Sequence, residues 1–192
     1  RGAIDLHMGD EPAVQRERLM LRSILDLSDV NVGEVMHHRQ DIVMIDTDLP
    51  TSEIIKQVVN CPYTRIPLWR SEPDNIVGVI HAKVLLLHVH QNQGTLDHID
   101  IDSVSTPPWF IPESTSLHDQ LQAFRRRQEH FALVVDEYGS LMGVVTLEDI
   151  LEEIVGDIAD EHDEVPFGVR SQNDGSYLVD GRVTIRDLNR RL

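Results

Sequence analysis

The chain has 192 residues, with 17 Lys and Arg against 33 Asp and Glu, for a formal net charge of −16. That balance argues against a partner that offers a phosphate backbone or an anionic lipid surface, because affinity there comes from basic side chains. A hydrophobic content of 41% supports a folded core, and the single cysteine, Cys61, excludes an intrachain disulfide and a cysteine-built zinc site and points to a reducing compartment.

No run approaches the roughly 20 apolar residues that a membrane helix needs, and no secretory signal is visible. The chain begins at Arg1 rather than Met and stops at Leu192, where a helix is just opening, so it reads as an excised segment. Residues 12–27 predict one helix, with Pro12 near its start and Leu21, Ile24, Leu25 and Leu27 on a broad apolar face.

A repeat then organises the rest. Ile76-Val-Gly-Val-Ile-His-Ala-Lys-Val-Leu-Leu matches Leu141-Met-Gly-Val-Val-Thr-Leu-Glu-Asp-Ile-Leu, with Gly78 and Gly143 65 residues apart. Upstream, Thr64-Arg-Ile-Pro-Leu aligns with Phe131-Ala-Leu-Val-Val, and Ile54/Ile55/Val58/Val59 with Leu117/Leu121/Phe124. Each copy reads strand, helix, strand, strand, helix. The predicted strands are 42–45, 65–69, 76–80, 109–111, 131–135 and 141–145, with polar turns at 70–75 and 136–140. The predicted helices are 51–60, 82–89, 116–127 and 147–158. The last is the clearest, since Leu147, Ile150, Leu151, Ile154, Val155 and Ile158 keep helical spacing.

A unit of about 60 residues has too little core to stand alone. Two in tandem are expected to bury their sheets against each other and leave a cleft with pseudo-two-fold symmetry. The fold class is α/β (α+β). Residues 165–192 break the pattern and read as strand, Asp174-Gly175 turn, strand 176–180 and a helix from Thr184, the first third of another domain.

Two such units carrying Gly143-x-x-Thr146-x-x-Asp149 resemble a cystathionine-β-synthase (CBS) domain pair. Tyr63-Thr-Arg-Ile-Pro, Val77-Gly-Val-Ile-His-Ala-Lys, Val134-Val-Asp-Glu-Tyr-Gly and Val144-Val-Thr-Leu-Glu-Asp-Ile-Leu-Glu-Glu-Ile-Val-Gly-Asp are similar to the CorC/CorB-type magnesium and cobalt transport proteins, relatives of the cyclin M transporters. The likeness covers roughly residues 15–192. It implies a membrane-proximal helical linker over 1–31, CBS repeats over 32–93 and 99–158, and an acidic linker with the truncated start of a CorC-HlyC domain over 159–192. It further implies a soluble, cytoplasmic, non-enzymatic regulatory module. That module would bind ATP (or AMP or ADP) with Mg²⁺ and form a homodimer of CBS pairs. It would be coupled to its own N-terminal transmembrane domain, absent here, in a protein of the inner membrane.

The residues expected to bind nucleotide are Tyr63, Thr64, Arg65, Pro67, Thr146, Glu148 and Asp149. A helix start offers free N–H groups and a positive dipole end to a phosphate. The Thr146 hydroxyl can donate there, and Asp149 can accept from two ribose hydroxyls. Equally, Thr146 and Asp149 can form an ordinary capping box. Arg65 suits phosphate, Tyr63 offers an aromatic face, and Pro67 suits a strand end or edge facing a ligand.

The first repeat carries His81 and Val84 at the positions of Thr146 and Asp149, so one nucleotide per pair is expected. Nine acids and no Lys or Arg fall within 148–164, which reads first as a solvated face and second as a field attracting divalent cations. The ten histidines, including the adjacent His37 and His38, lack metal-site spacing and read as surface or satisfied residues. Two other functions remain open: a regulatory fragment of a metabolic enzyme, and an acidic protein-interaction module.

Overall fold

The computed structural model describes residues 12–92, 99–155, 169–172 and 176–179. The predicted Asp174-Gly175 turn, the helix from Thr184 and the acids from Asp157 to Glu164 lie outside the described residues. The chain divides into two units, 1–154 and 155–192.

In the first unit, helix α1 (Pro12–Asp26) opens on proline, whose fixed φ suits a first helical position. Its apolar face is not buried as a face. Leu27, just past its end, and Ser23 are buried, whereas Leu21, Ile24 and Leu25 are exposed. The chain then turns through a 3-10 turn (Val32–Glu34), held by Val32 N–H to Thr115 O at 2.8 Å and Gly33 N–H to Glu113 O at 2.9 Å. Strand β1 (His37–His38) follows, then β2 (Ile45–Asp46), α2 (Thr51–Asn60), β3 (Arg65–Arg70), β4 (Glu72–His81) and α3 (Ala82–Gln91). The second half runs α4 (Ile101–Val104), β5 (Ser105–Thr106), β6 (Phe110–Pro112), α5 (Leu117–Arg127), β7 (Phe131–Val135), β8 (Leu141–Thr146) and α6 (Leu147–Val155).

Two four-stranded sheets result, in the orders β2-β3-β4-β5 and β1-β8-β7-β6. Each has one parallel edge pair and an antiparallel centre, and each is closed by a strand from the other half of the chain. β1 precedes the first repeat's sheet yet pairs with β8, while β5 follows the first repeat and pairs with β4. The sequence prediction missed both strands, because two residues carry no periodicity. The first sheet packs Ile45, Ile66, Leu68 and Ile80 against Ile54, Val58 and Leu85 of its helices. The second packs Ile111, Ala132, Val134 and Val145 against Leu117, Phe124 and Ile150, with Leu27 and Val32 added from the linker. Ile76, Val79, Leu133, Leu141 and Val144 form a third core, between the sheets, as the pseudo-symmetry demands.

The observed register corrects the predicted repeat alignment by one residue. Arg65 stands opposite His81 and Phe131 opposite Thr146, so Arg65, not Thr64, is the counterpart of Phe131. The register shifts after Leu68 and again after Trp69 in the first hairpin, and once, after Val134, in the second. The first hairpin is longer and tighter than predicted. β4 starts at Glu72, and the bend falls on Ser71, whose φ is 65°. The predicted strands 42–45 and 109–111 shift to 45–46 and 110–112, and the helix predicted over 147–158 is described to Val155.

In the second unit, β9 (Val169–Ser171) and β10 (Tyr177–Val179) form an antiparallel pair, with Gln172 N–H donating to Ser176 O at 2.8 Å.

The exchanged strands need space. A Cβ on Gly143 would overlap the His37 carbonyl oxygen, a backbone atom that cannot swing aside. A Cβ on Gly78 would meet the side-chain Oγ of Ser105 at 2.9 Å. Gly143→Ala should therefore destabilise the fold by about 1–3 kcal/mol, the usual cost of overpacking, and Gly78→Ala by less. Chemical denaturation of both variants checks the order, and equal stability would refute it.

Candidate functional site

β8 runs directly into α6 with no intervening loop, so Thr146 is the last strand residue and Leu147 the first helical one. The helix start is closed by reciprocal bonds. Asp149 N–H donates to Thr146 Oγ1 at 3.2 Å, and Thr146 N–H donates to Asp149 Oδ2 at 2.7 Å. Leu147 N–H is taken by His130 O at 3.1 Å. The capping geometry is thus present, and it is compatible with ligand binding. The Thr146 hydroxyl accepts from Asp149 and keeps its proton to donate, and each Asp149 oxygen keeps an acceptor position. The Asp149 side chain is 13% exposed. Its Oδ1 lies 3.1 Å from His37 Nε2, a contact from β1 that sequence reasoning missed.

The pseudo-equivalent start, where β4 meets α3, has different chemistry. His81 caps it, accepting from Lys83 N–H at 3.3 Å, and Ala82 N–H donates to Thr64 O at 2.9 Å. Burial, then Arg65 and Lys83, hold the His81 imidazole below its usual basicity. Neither Arg65 nor Lys83 forms an ion pair among the described residues. In a chain of charge −16, two unpaired cations beside one helix start are a local reversal of sign. Val84 occupies the position of Asp149, and its side chain cannot accept a hydrogen bond.

Tyr63 and Thr64 are exposed and line a cavity of about 460 Å³ with Cys61, Lys83, Leu86 and Leu87. Arg65 is half-buried beside it in sequence. Pro67 departs from expectation: it is buried inside β3, opposite Val79, rather than at a strand end or exposed edge. Its missing N–H is tolerated because β2 pairs only with Leu68 and Trp69. Glu148 is exposed on the first turn of α6 and points to no partner among the described residues. The structure therefore brings together Thr146, Asp149 and His37 as one group, and Tyr63, Thr64 and Lys83 as another. Among the described residues, no hydrogen bond or ion pair joins the two groups. Lys83 was legible in principle, since the repeat alignment sets it opposite Glu148. Among the described residues, no three His, Cys, Asp or Glu side chains are placed to hold a metal ion.

The CBS domain model matches residues 32–90 and 99–156, more than half of the chain. The chain belongs to the CBS-domain family and contains a tandem pair. The pair is of the CNNM/CorC type. The CBS domain of a bacterial CNNM/CorC family Mg²⁺ transporter, solved in complex with ATP, is 38% identical with a TM-score of 0.68, the match covering 74% of this chain and 99% of that one. Hemolysin C of Brachyspira hyodysenteriae is 38% identical over 92% of this chain and 63% of its own length. The magnesium and cobalt efflux protein CorC of Pasteurella multocida is 35% identical over 92% of this chain and 58% of its own length. The chain thus spans less than two thirds of these curated relatives.

Proposed function

We propose that this chain is the nucleotide-sensing part of a divalent-cation transporter, taking up ATP with Mg²⁺ between its CBS repeats and coupling occupancy to Mg²⁺ or Co²⁺ movement by a preceding membrane domain. The observation that carries this reading is the Asp149 carboxylate, nearly buried at a helix start yet with acceptor capacity on both oxygens. Asp149 would hold the ribose hydroxyls and Thr146 a phosphate oxygen. From the first repeat, Tyr63 and Thr64 offer an aromatic face and a hydroxyl, and Arg65 a guanidinium for phosphate. The related CBS domain solved with ATP supports the assignment of the ligand class; ADP and AMP share the same adenine and ribose. The module is non-enzymatic in this reading, with binding itself as the signal.

No helix among the described residues is long and apolar enough to cross a membrane; in this reading the transport step belongs to a membrane domain that precedes the module. The exposed stripe of Leu21, Ile24 and Leu25, at i, i+3 and i+4, suits α1 to contact that part and pass on the change. In this reading the module lies on the cytoplasmic side of the inner membrane in the full-length protein. Residues 159–192 would open a CorC-HlyC domain. A homodimer of CBS pairs would cover Val59, Leu86, Leu87 and Leu151, which are exposed on the helices.

Three outcomes test the reading. Asp149→Ala should weaken ATP binding by at least ~1.5 kcal/mol, because hydrogen bonds to a charged group contribute roughly 1.5–3, and Thr146→Ile should weaken it too. Calorimetry on folded variants that matches the parent would remove the site. Secondly, ATP affinity should fall when Mg²⁺ is chelated, and AMP affinity should fall less. Arg65, Lys83 and a helix start worth about half a charge do not offset a triphosphate near −4. Mg²⁺ can bridge phosphate oxygens while keeping most of its waters, so it needs few protein ligands. Titrations at matched ionic strength that show equal ATP affinity with and without Mg²⁺ would contradict this. Thirdly, sedimentation with ATP and Mg²⁺ at high protein concentration should give the mass of two chains, not one.

A further inference from the structure

His37 reaches the second repeat from outside it. The β1–β8 pairing sets it opposite Val144, and its Nε2 lies 3.1 Å from Asp149 Oδ1, across 112 residues of sequence. The imidazole is 60% exposed while the carboxylate it meets is 13% exposed. An ionised carboxylate only accepts, so a neutral His37 must carry its proton on Nε2 to donate here. A carboxylate has about four acceptor positions. Thr146 N–H takes one on Oδ2 and His37 takes one on Oδ1, which leaves one on each oxygen. Two adjacent hydroxyls, as on the 2′ and 3′ carbons of a ribose, match that remainder.

The cap itself does not require the histidine, since Thr146 and Asp149 already satisfy each other. The pseudo-equivalent position in the first sheet makes the contrast. There Thr106 stands opposite Val79, its hydroxyl donates to the Val79 carbonyl at 3.1 Å, and the helix residue is Val84. Among the described residues, the histidine–carboxylate pair exists at one of the two helix starts. The close approach that delivers it depends on Gly143, where a side chain would overlap the His37 carbonyl.

We infer that His37 is a positioning residue for ribose recognition, fixing the Asp149 carboxylate so that its free acceptor positions face the vicinal diol of the nucleotide. The inference rests on the nucleotide reading above. A group that orients a binding residue without touching the ligand sets how well that residue is preorganised.

The test is calorimetry of ATP and of 2′,3′-dideoxy-ATP, both with Mg²⁺, against the parent and against His37→Ala, His37→Gln and His37→Glu. His37→Ala should lose about five- to tenfold in ATP affinity, the scale of one typical net hydrogen bond, since the imidazole acts through Asp149 and not on the ligand. The same change should leave dideoxy-ATP affinity within about twofold, because the loss runs through the diol. His37→Gln, which keeps an N–H donor, should recover most of the ATP affinity, and His37→Glu, which repels Asp149, should lose the most. The glutamine and glutamate variants carry the test if the alanine variant does not fold. Equal losses for both nucleotides, or no loss for ATP in any variant, would overturn the role of His37 and leave the nucleotide site standing. A parent that binds neither nucleotide would overturn both together.

Discussion

The exchange of edge strands is the constraint on which the rest of the structure depends. Each sheet has three strands from one repeat and a fourth from the other half of the chain, so neither sheet is complete without its neighbour. The added strands are two residues long and contribute few hydrogen bonds of their own. Their effect is to tie the start of the first repeat to β8, and the start of the second repeat to β4. With Ile76, Val79, Leu133, Leu141 and Val144 closing the space between the sheets, two units that are each too small for a sufficient core share one. The same exchange carries His37 to Asp149.

Backbone symmetry and side-chain asymmetry together define the site. Both helices start directly at the end of a strand, and the first amide of each is taken by a carbonyl just before the first strand of its hairpin, Thr64 before β3 in one repeat and His130 before β7 in the other. On this shared scaffold one start carries Thr146, Asp149 and His37, while the other carries His81, Val84, Arg65 and Lys83. The first is suited to hydroxyl groups and the second to negative charge. Under the proposed reading, one nucleotide per pair follows from this division, because Val84 cannot replace Asp149 as an acceptor. The depressed basicity of His81 is a consequence of the same arrangement, with burial and two cations disfavouring a third.

The surface separates structural from relational residues. The core positions of both helical layers are buried to within a few per cent, but Leu21, Ile24, Leu25, Leu86 and Leu87 are not. For α1 this reverses the simple reading of an amphipathic helix, in which the apolar face turns inward. Leu27, just past its end, packs into the core of the second repeat and Ser23 is buried, while Leu21, Ile24 and Leu25 remain exposed.

The repeat, its helices and its central hairpin strands were readable from the amino-acid sequence, because a 3.6-residue period and runs of β-branched residues between polar turns are local signals. The Gly-x-x-Thr-x-x-Asp spacing was equally local, and it marked both the cap and the carboxylate. The alignment of Thr64 with Phe131 slipped by one, since the first hairpin is one residue longer between equivalent pairs and nothing in its composition places the bulge. Pro67 read as an edge residue because proline lacks an N–H, but the short reach of β2 leaves that side of β3 unpaired and lets proline sit buried inside. β1 and β5 were invisible, because two-residue strands have no period and exist only where a partner strand is already built. His37 was invisible for the same reason: its role depends on a partner 112 residues away, and such a distance is closed by sheet packing, not by any pattern along the chain.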